Sequence, residues 1–280
     1  MSHLPLRRIL IGVLVLIGLL LGACSDTKDE TTDEYSDWTA EQFYREARDA
    51  LNDKKYDKAA KLYEKLEARY PFGKYATQAQ LDVAYAYYKN DEPDSAIAAA
   101  DRFIKLNPAH PNVDYAYYIK GLVNYNRGIG FVDRFLPTDS SQRDPGSTMD
   151  SFKDFEELLR RFPNSRYADD SRKRIIALRN NLAMHEIHVA DFYMRREAYL
   201  AAARRSAEVI RKYQRTQAVP VALEIMEQAY RKLGMTQLAD DARRIYELNY
   251  AEGAPGQAAK DVNYDPSAVE KVWKFIGLEE

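Results

Sequence analysis

From Trp38 to Tyr250, apolar residues recur three and four positions apart, the period of one face of an α-helix. No segment alternates apolar and polar residues as a half-buried strand does, and no Asn-Gly pair marks a hairpin turn. The pattern predicts an all-α chain, and it repeats. Tyr56-Asp-Lys-Ala59-Ala-Lys-Leu-Tyr63-Glu-Lys-Leu66 aligns with Pro93-Asp-Ser-Ala96-Ile-Ala-Ala-Ala100-Asp-Arg-Phe103 at a step of 37 residues, and a proline follows each, Pro71 and Pro108. That step is close to the roughly 34 residues of a tetratricopeptide repeat, a pair of antiparallel helices. Twelve residues before Ala59 and Ala96 stand Ala47 and Ala84, and the same interval joins Ala190 to Ala202. Two helices of a pair approach closely where both carry small side chains. A proline after the second helix stops it, because it has no N–H to continue the ladder. The expectation is a tetratricopeptide-repeat superhelix of about five helix pairs, near residues 40–73, 77–110, 114–165, 183–216 and 220–250.

The third pair is irregular. Gly121 fits its first small position, but the next match, Phe152, stands 31 residues on instead of 12. Arg127 to Gly146 therefore reads as an insertion, either a functional element or a loop packed on its own repeat. Tyr167 to Tyr193 contains no Pro or Gly and predicts one long helix joining an N-terminal half, 38–165, to a C-terminal half, 166–250. Gly253-Ala-Pro-Gly256 breaks the pattern. In the tail, 251–280, Val269, Val272, Trp273 and Ile276 share one face of a short amphipathic helix, able to dock on the last repeat or on a partner.

Ahead of the repeats the pattern changes. Arg7 and Arg8 precede an uncharged apolar run, Ile9 to Leu21. Such a run suits a signal peptide and is too short to span a bilayer. Leu21-Gly-Ala-Cys24 resembles a bacterial lipobox, which makes 1–23 a signal peptide and Cys24 the lipidated first residue of the mature chain. Residues 24–37 are polar and charged with almost nothing apolar, the composition of a flexible tether. Cys24 is the only cysteine, so stability rests on packing and not on disulfides. By the same resemblance, Ser25 after the cysteine implies an outer-membrane address.

A net charge of −2 gives no electrostatic footprint for nucleic acid, and none is expected as a partner. The 21 tyrosines are the compositional oddity. Counted from the repeat register, the inward positions of the first helices in pairs one to three hold Tyr44, Arg48, Leu81, Tyr85, Tyr88, Tyr115, Tyr118, Leu122 and Tyr125. A tyrosine joins an apolar ring to a polar tip, which suits peptide binding. Tyr44, Arg48, Tyr85, Tyr88 and Tyr118 are the candidate binding residues, with a core role as the alternative reading of the rings. Tyr87 and Tyr117 fall on packing positions.

No catalytic motif is present. His185 and His188 share a helix face, but no Cys and no His-Glu-x-x-His context surrounds them. Gly128-Ile-Gly130 lacks the third glycine and the strand of a dinucleotide fold, and no phosphate-binding loop or nucleophile elbow occurs. The expectation is a binding protein, not an enzyme, with no metal and no cofactor.

Several runs together are distinctive. They are Arg69-Tyr-Pro-Phe-Gly-Lys-Tyr75, Gln80-Leu-Asp82, Ala84-Tyr-Ala-Tyr-Tyr-Lys-Asn90, Asp101-Arg-Phe-Ile-Lys-Leu-Asn-Pro108, His110-Pro-Asn112, Asp114-Tyr115, Arg143-Asp-Pro145, Phe162-Pro-Asn-Ser165 and Lys173-Arg174. They resemble the BamD family (also called ComL or YfiO), lipoproteins of the β-barrel assembly machinery, over about residues 38–250 plus the lipobox. The resemblance implies a place on the periplasmic face of the outer membrane and contact of the C-terminal repeats with a POTRA domain of BamA. It also implies BamC- and BamE-type lipoproteins as partners, and recognition of the C-terminal targeting strand of unfolded outer-membrane β-barrel proteins. On that reading Tyr85 and Tyr88 offer rings and Arg48 or Lys89 a cation, while Arg204 and Arg205 are candidates for the BamA contact. A pilotin that escorts a pilus secretin is the alternative.

Overall fold

A computed structural model of the protein describes residues 35–127, 139–142 and 144–250. The signal peptide, Cys24, most of the tether, the middle of the insertion and the 251–280 tail lie outside the described residues. Tyr35–Thr39 belongs to a different unit from the repeats, which begin at Ala40. There the Trp38 N–H donates to the Tyr35 carbonyl at 3.0 Å, and the two rings meet edge to face.

Among the described residues stand ten α-helices and no strand. They are α1 (Ala40–Asn52), α2 (Tyr56–Arg69), α3 (Lys74–Lys89), α4 (Pro93–Leu106), α5 (Val113–Arg127), α6 (Gly146–Arg161), α7 (Ala168–Arg195), α8 (Tyr199–Lys212), α9 (Ala218–Lys232) and α10 (Thr236–Tyr250). Each helix packs on its neighbours in the chain. The first helices of successive pairs also touch, α1 on α3, α3 on α5 and α7 on α9. This is the packing of tetratricopeptide repeats, five successive helix pairs among the described residues.

The small positions behave as the pattern predicts. Ala47, Ala59, Ala84, Ala96, Ala190 and Ala202 are fully buried. Gly121 is the extreme case, since a Cβ there would lie 2.5 Å from the Phe155 ring. The register of the third pair differs by one residue from expectation. The small partner facing Gly121 is Ser151, fully buried, whose hydroxyl donates to the Gly121 carbonyl at 2.9 Å. Phe152 stands partly exposed beside it. Spacing favours a ring at the contact, but close approach of two backbones needs the smaller side chain.

The turn between the two helices of a pair is the same in four pairs. Lys54, Asp91, Glu197 and Gly234 all adopt a left-handed backbone, with φ of 62°, 61°, 59° and 71°. The N–H of the next residue donates back to the helix carbonyl five residues before it. The bonds run from Lys55 to Ala50, Glu92 to Tyr87, Ala198 to Tyr193 and Met235 to Tyr230. These are Schellman caps, which satisfy carbonyls left open at a helix end. The turn of the third pair falls in the insertion, most of which lies outside the described residues.

α7 spans 28 residues and is the first helix of the fourth pair. It packs on α6 and α8, as well as on α9 and the short 3-10 turn Ser140–Gln142. The single long helix that the spacing from Tyr167 to Tyr193 predicts is present. No helix among the described residues is long and apolar enough to cross a membrane.

Candidate binding face

Because α1, α3 and α5 lie side by side, residues three and four apart on each form one face. On α3 these are Gln78, Asp82, Tyr85 and Lys89; on α5 they are Tyr115, Tyr118, Leu122 and Tyr125. Tyr44 and Arg48 supply the α1 edge.

At that edge the centre is a carboxylate. The Tyr44 hydroxyl donates to Asp82 Oδ2 at 3.0 Å, and Gln78 Nε2 donates to Asp82 Oδ1 at 2.8 Å. The Tyr44 ring packs against Tyr75 and Tyr63, with centroids at 5.5 and 6.0 Å. The exposed Arg48 guanidinium lies 6.0 Å from the Tyr44 ring. Burial and the neighbouring Asp82 carboxylate push the Tyr44 hydroxyl up to about 12. Burial also raises the Asp82 carboxyl above its usual range, although the bonds from Gln78 and Tyr44 and the charge of Arg48 oppose the shift. Behind them Tyr63 is 1% exposed, and its hydroxyl meets no hydrogen-bond partner among the described residues.

In the middle, Tyr85 and Tyr88 lie 6.2 Å apart and half-buried. The Asn126 amide on α5 donates to the Tyr88 hydroxyl. Lys89 is exposed, with its ammonium 5.8 Å from the Tyr56 ring.

Toward α7 the face closes. Tyr118 stacks on Tyr167 with centroids 4.5 Å apart and planes 16° from parallel, and its hydroxyl donates to Asp170 at 2.7 Å. Arg174 is 4% exposed. Its Nε donates to Asp170 at 2.6 Å and its guanidinium covers the Tyr125 ring at 4.8 Å. Tyr115 packs beside Tyr167 at 5.4 Å.

Of the candidate residues, Tyr44 and Arg48 stand on α1, Tyr85 and Tyr88 on α3, and Tyr118 on α5. Tyr118 is held at the α5–α7 junction by Tyr167 and Asp170, as Tyr44 is held at the α1 edge by Tyr75, Tyr63 and Asp82. Tyr117 is buried against Phe162, a packing residue as expected. The sequence alone does not place Asp82, Asp170 and Arg174 on this face, and Asp170 reads there as part of a solvated acidic pair. The signal for Asp82 was its place three residues before Tyr85, on the same helix face. For Asp170 and Arg174 it was the four-residue spacing of an ion pair.

Elsewhere, Arg204 and Arg205 are exposed on α8, and Arg205 donates to Glu186 of α7 at 2.9 Å. The two histidines clip the end of the insertion to α7. His185 Nδ1 lies 2.9 Å from the Ser141 carbonyl, which only accepts, so Nδ1 carries a proton. His188 Nε2 lies 3.0 Å from Asp139 Oδ2 and 2.9 Å from Ser141 Oγ.

Stacked helix pairs whose first helices carry a row of rings define a tetratricopeptide-type repeat protein with an aromatic face of the kind suited to polypeptide ligands. The chain belongs to the family described as outer membrane lipoprotein, the YfiO family, which its sequence matches over residues 36–245. It is 47% identical over 238 residues to the outer membrane protein assembly factor BamD of Neisseria meningitidis serogroup A, covering 84% of this chain and 89% of that protein. The BamD of Vibrio cholerae is 39% identical over 84% of this chain and 96% of its own length. The BamD of Xylella fastidiosa is 34% identical over 96% of this chain and 90% of its own.

Proposed function

We propose that this chain is a lipid-anchored scaffold and substrate-recognition subunit for the assembly of β-barrel proteins into the outer membrane, acting by binding and not by catalysis. Relatives that carry the name outer membrane protein assembly factor cover most of its length, which favours this reading over a secretin pilotin. Cys24 is the lipidated residue, and residues 24–37 tether the repeats to the inner leaflet of the outer membrane. The N-terminal half, 38–165, holds the unfolded substrate. The C-terminal half, 166–250, holds a POTRA domain of BamA, with Arg204 and Arg205 offering guanidinium forks to its carboxylates. BamC- and BamE-type lipoproteins complete the set of partners.

The observation that carries the substrate reading is the open end of the aromatic face. Tyr44 stands half-buried beside the exposed cation Arg48, and Tyr85 and Tyr88 stand half-buried on α3. An extended segment ending in an aromatic residue and a carboxylate finds rings and a counter-charge there. Tyr118 at the closed end sets the shape of the face. The test is the double substitution Tyr85→Ala with Tyr88→Ala. It is expected to cut crosslinking to a C-terminal barrel peptide at least about tenfold, the loss of roughly 1.4 kcal/mol, while BamA binding and helix content stay unchanged. Undiminished crosslinking would make these rings packing residues.

A further inference from the structure

The last helix breaks a rule that the earlier ones keep. The left-handed turn residues Lys54, Asp91, Glu197 and Gly234 fix a common register for the second helices α2, α4, α8 and α10. Positions 4, 11 and 14 after that residue share one face of a helix, at about 100° per residue. In α2 they are Lys58, Lys65 and Ala68; in α4, Ser95, Arg102 and Lys105; in α8, Ala201, Glu208 and Arg211. None is a large apolar residue. In α10 all three are, namely Leu238, Ile245 and Leu248, exposed by 46%, 46% and 63%.

The face on which a further repeat would stack shows the opposite change. Positions 6 and 9 are Ala60 and Tyr63 in α2, Ile97 and Ala100 in α4, and Ala203 and Ser206 in α8. In α10 they are Asp240 and Arg243, both exposed and both in ion pairs, Asp240 with Arg231 and Arg243 with Glu247. The array therefore ends at α10. Its apolar stripe lies on another side of the helix from the stacking face, where no repeat would cover it.

We propose that this stripe is the docking site of the chain's own tail, with Val269, Val272, Trp273 and Ile276 packed along Leu238, Ile245 and Leu248. The tail leaves from the end of α10 itself, and Gly253, Pro255 and Gly256 permit the reversal. The 18 residues between Tyr250 and Val269 reach up to about 60 Å when extended. α10, at 15 residues, is only about 22 Å long. A tethered segment acts at an effective concentration on the order of millimolar, which favours it over a free helix of similar sequence. The two stripes match in kind, since both are apolar at helical spacing and the tail adds one large aromatic anchor. The docked tail covers the outer side of the last pair. This inference is independent of the peptide reading, which concerns α1, α3 and α5.

The test is a disulfide scan in cells producing the full chain, whose lipidated Cys24 leaves no other thiol. Cysteine replaces Leu238 or Leu248 together with Val269 or Ile276, in all four pairings, so that either helix direction is covered. At least one pair is expected to close within a single chain, and adding Ile245→Glu is expected to reduce that bond at least about tenfold. Arg211→Cys with Ile276→Cys, at the matching position of α8, is expected to stay open. No bond in any pairing would overturn the proposal, and so would bonds that form only between two chains. Helix content of the exposed-site variants, read by circular dichroism, guards against loss of fold.

Discussion

At the scale of single residues, Asp82 is the most informative. Its carboxylate lies partly buried beneath the aromatic face, and burial raises its proton affinity above that of an unfolded chain. The folded state then binds this proton more tightly than the unfolded state does. Asp82 therefore detracts from stability above its raised value, and the penalty fades as pH falls through that value toward the ordinary 3.8. Asp82→Asn is expected to raise the melting temperature at pH 7, with the gain shrinking at lower pH. A melting series from pH 7 to pH 3.5 checks this, and a gain that grows on acidification would refute it. A charge kept at such a place, bonded to Tyr44 and near Arg48, is in keeping with the binding role proposed for this face. The tyrosines are visible in the sequence because 21 of them is unusual and their register is regular. Asp82 is hidden there, because a carboxylate on a helix reads as solvated until the neighbouring helix is known.

At the scale of elements, two features set the packing of a pair: a small residue where the helices approach and a left-handed residue where the chain turns. At the approach in the third pair, Gly121→Ala puts a methyl group 2.5 Å from the Phe155 ring. The expected cost is about 1–3 kcal/mol, read as a lower denaturation midpoint. At the turns, a side chain in the left-handed region costs roughly 1–2 kcal/mol, which glycine avoids. Only Gly234 meets that preference; Lys54, Asp91 and Glu197 do not. Lys54→Gly is expected to stabilise the chain by about 0.5–1 kcal/mol, and a loss of stability on denaturation would contradict the cap assignment. The 37-residue step and the twelve-residue Ala intervals make the helix pairs legible in the sequence alone. The left-handed turns are not legible there, because three of the four carry no glycine. In the insertion, the spacing locates an interruption but points to Phe152 as the partner of Gly121 instead of the smaller Ser151. His185 and His188 read as ordinary helix residues, while each bonds the returning end of the insertion on α7. Those bonds join positions 44 and 49 residues apart, which no local pattern reports.

At the scale of the whole molecule, one family of outer-membrane lipoproteins accounts for the repeats and their relatives. Periodicity is enough to find the repeats, since a solenoid is nearly one-dimensional and each pair contacts only its neighbours. The division of labour between an aromatic N-terminal half and an arginine-bearing C-terminal half is the central proposal. Photoreactive residues placed singly at Arg48, Tyr85, Arg204 and Arg205 in living cells test it most directly. Adducts with unfolded barrel proteins are expected at Arg48 and Tyr85, and adducts with BamA at Arg204 and Arg205. Barrel-protein adducts confined to the α8 positions, or none at Arg48 and Tyr85, would contradict it.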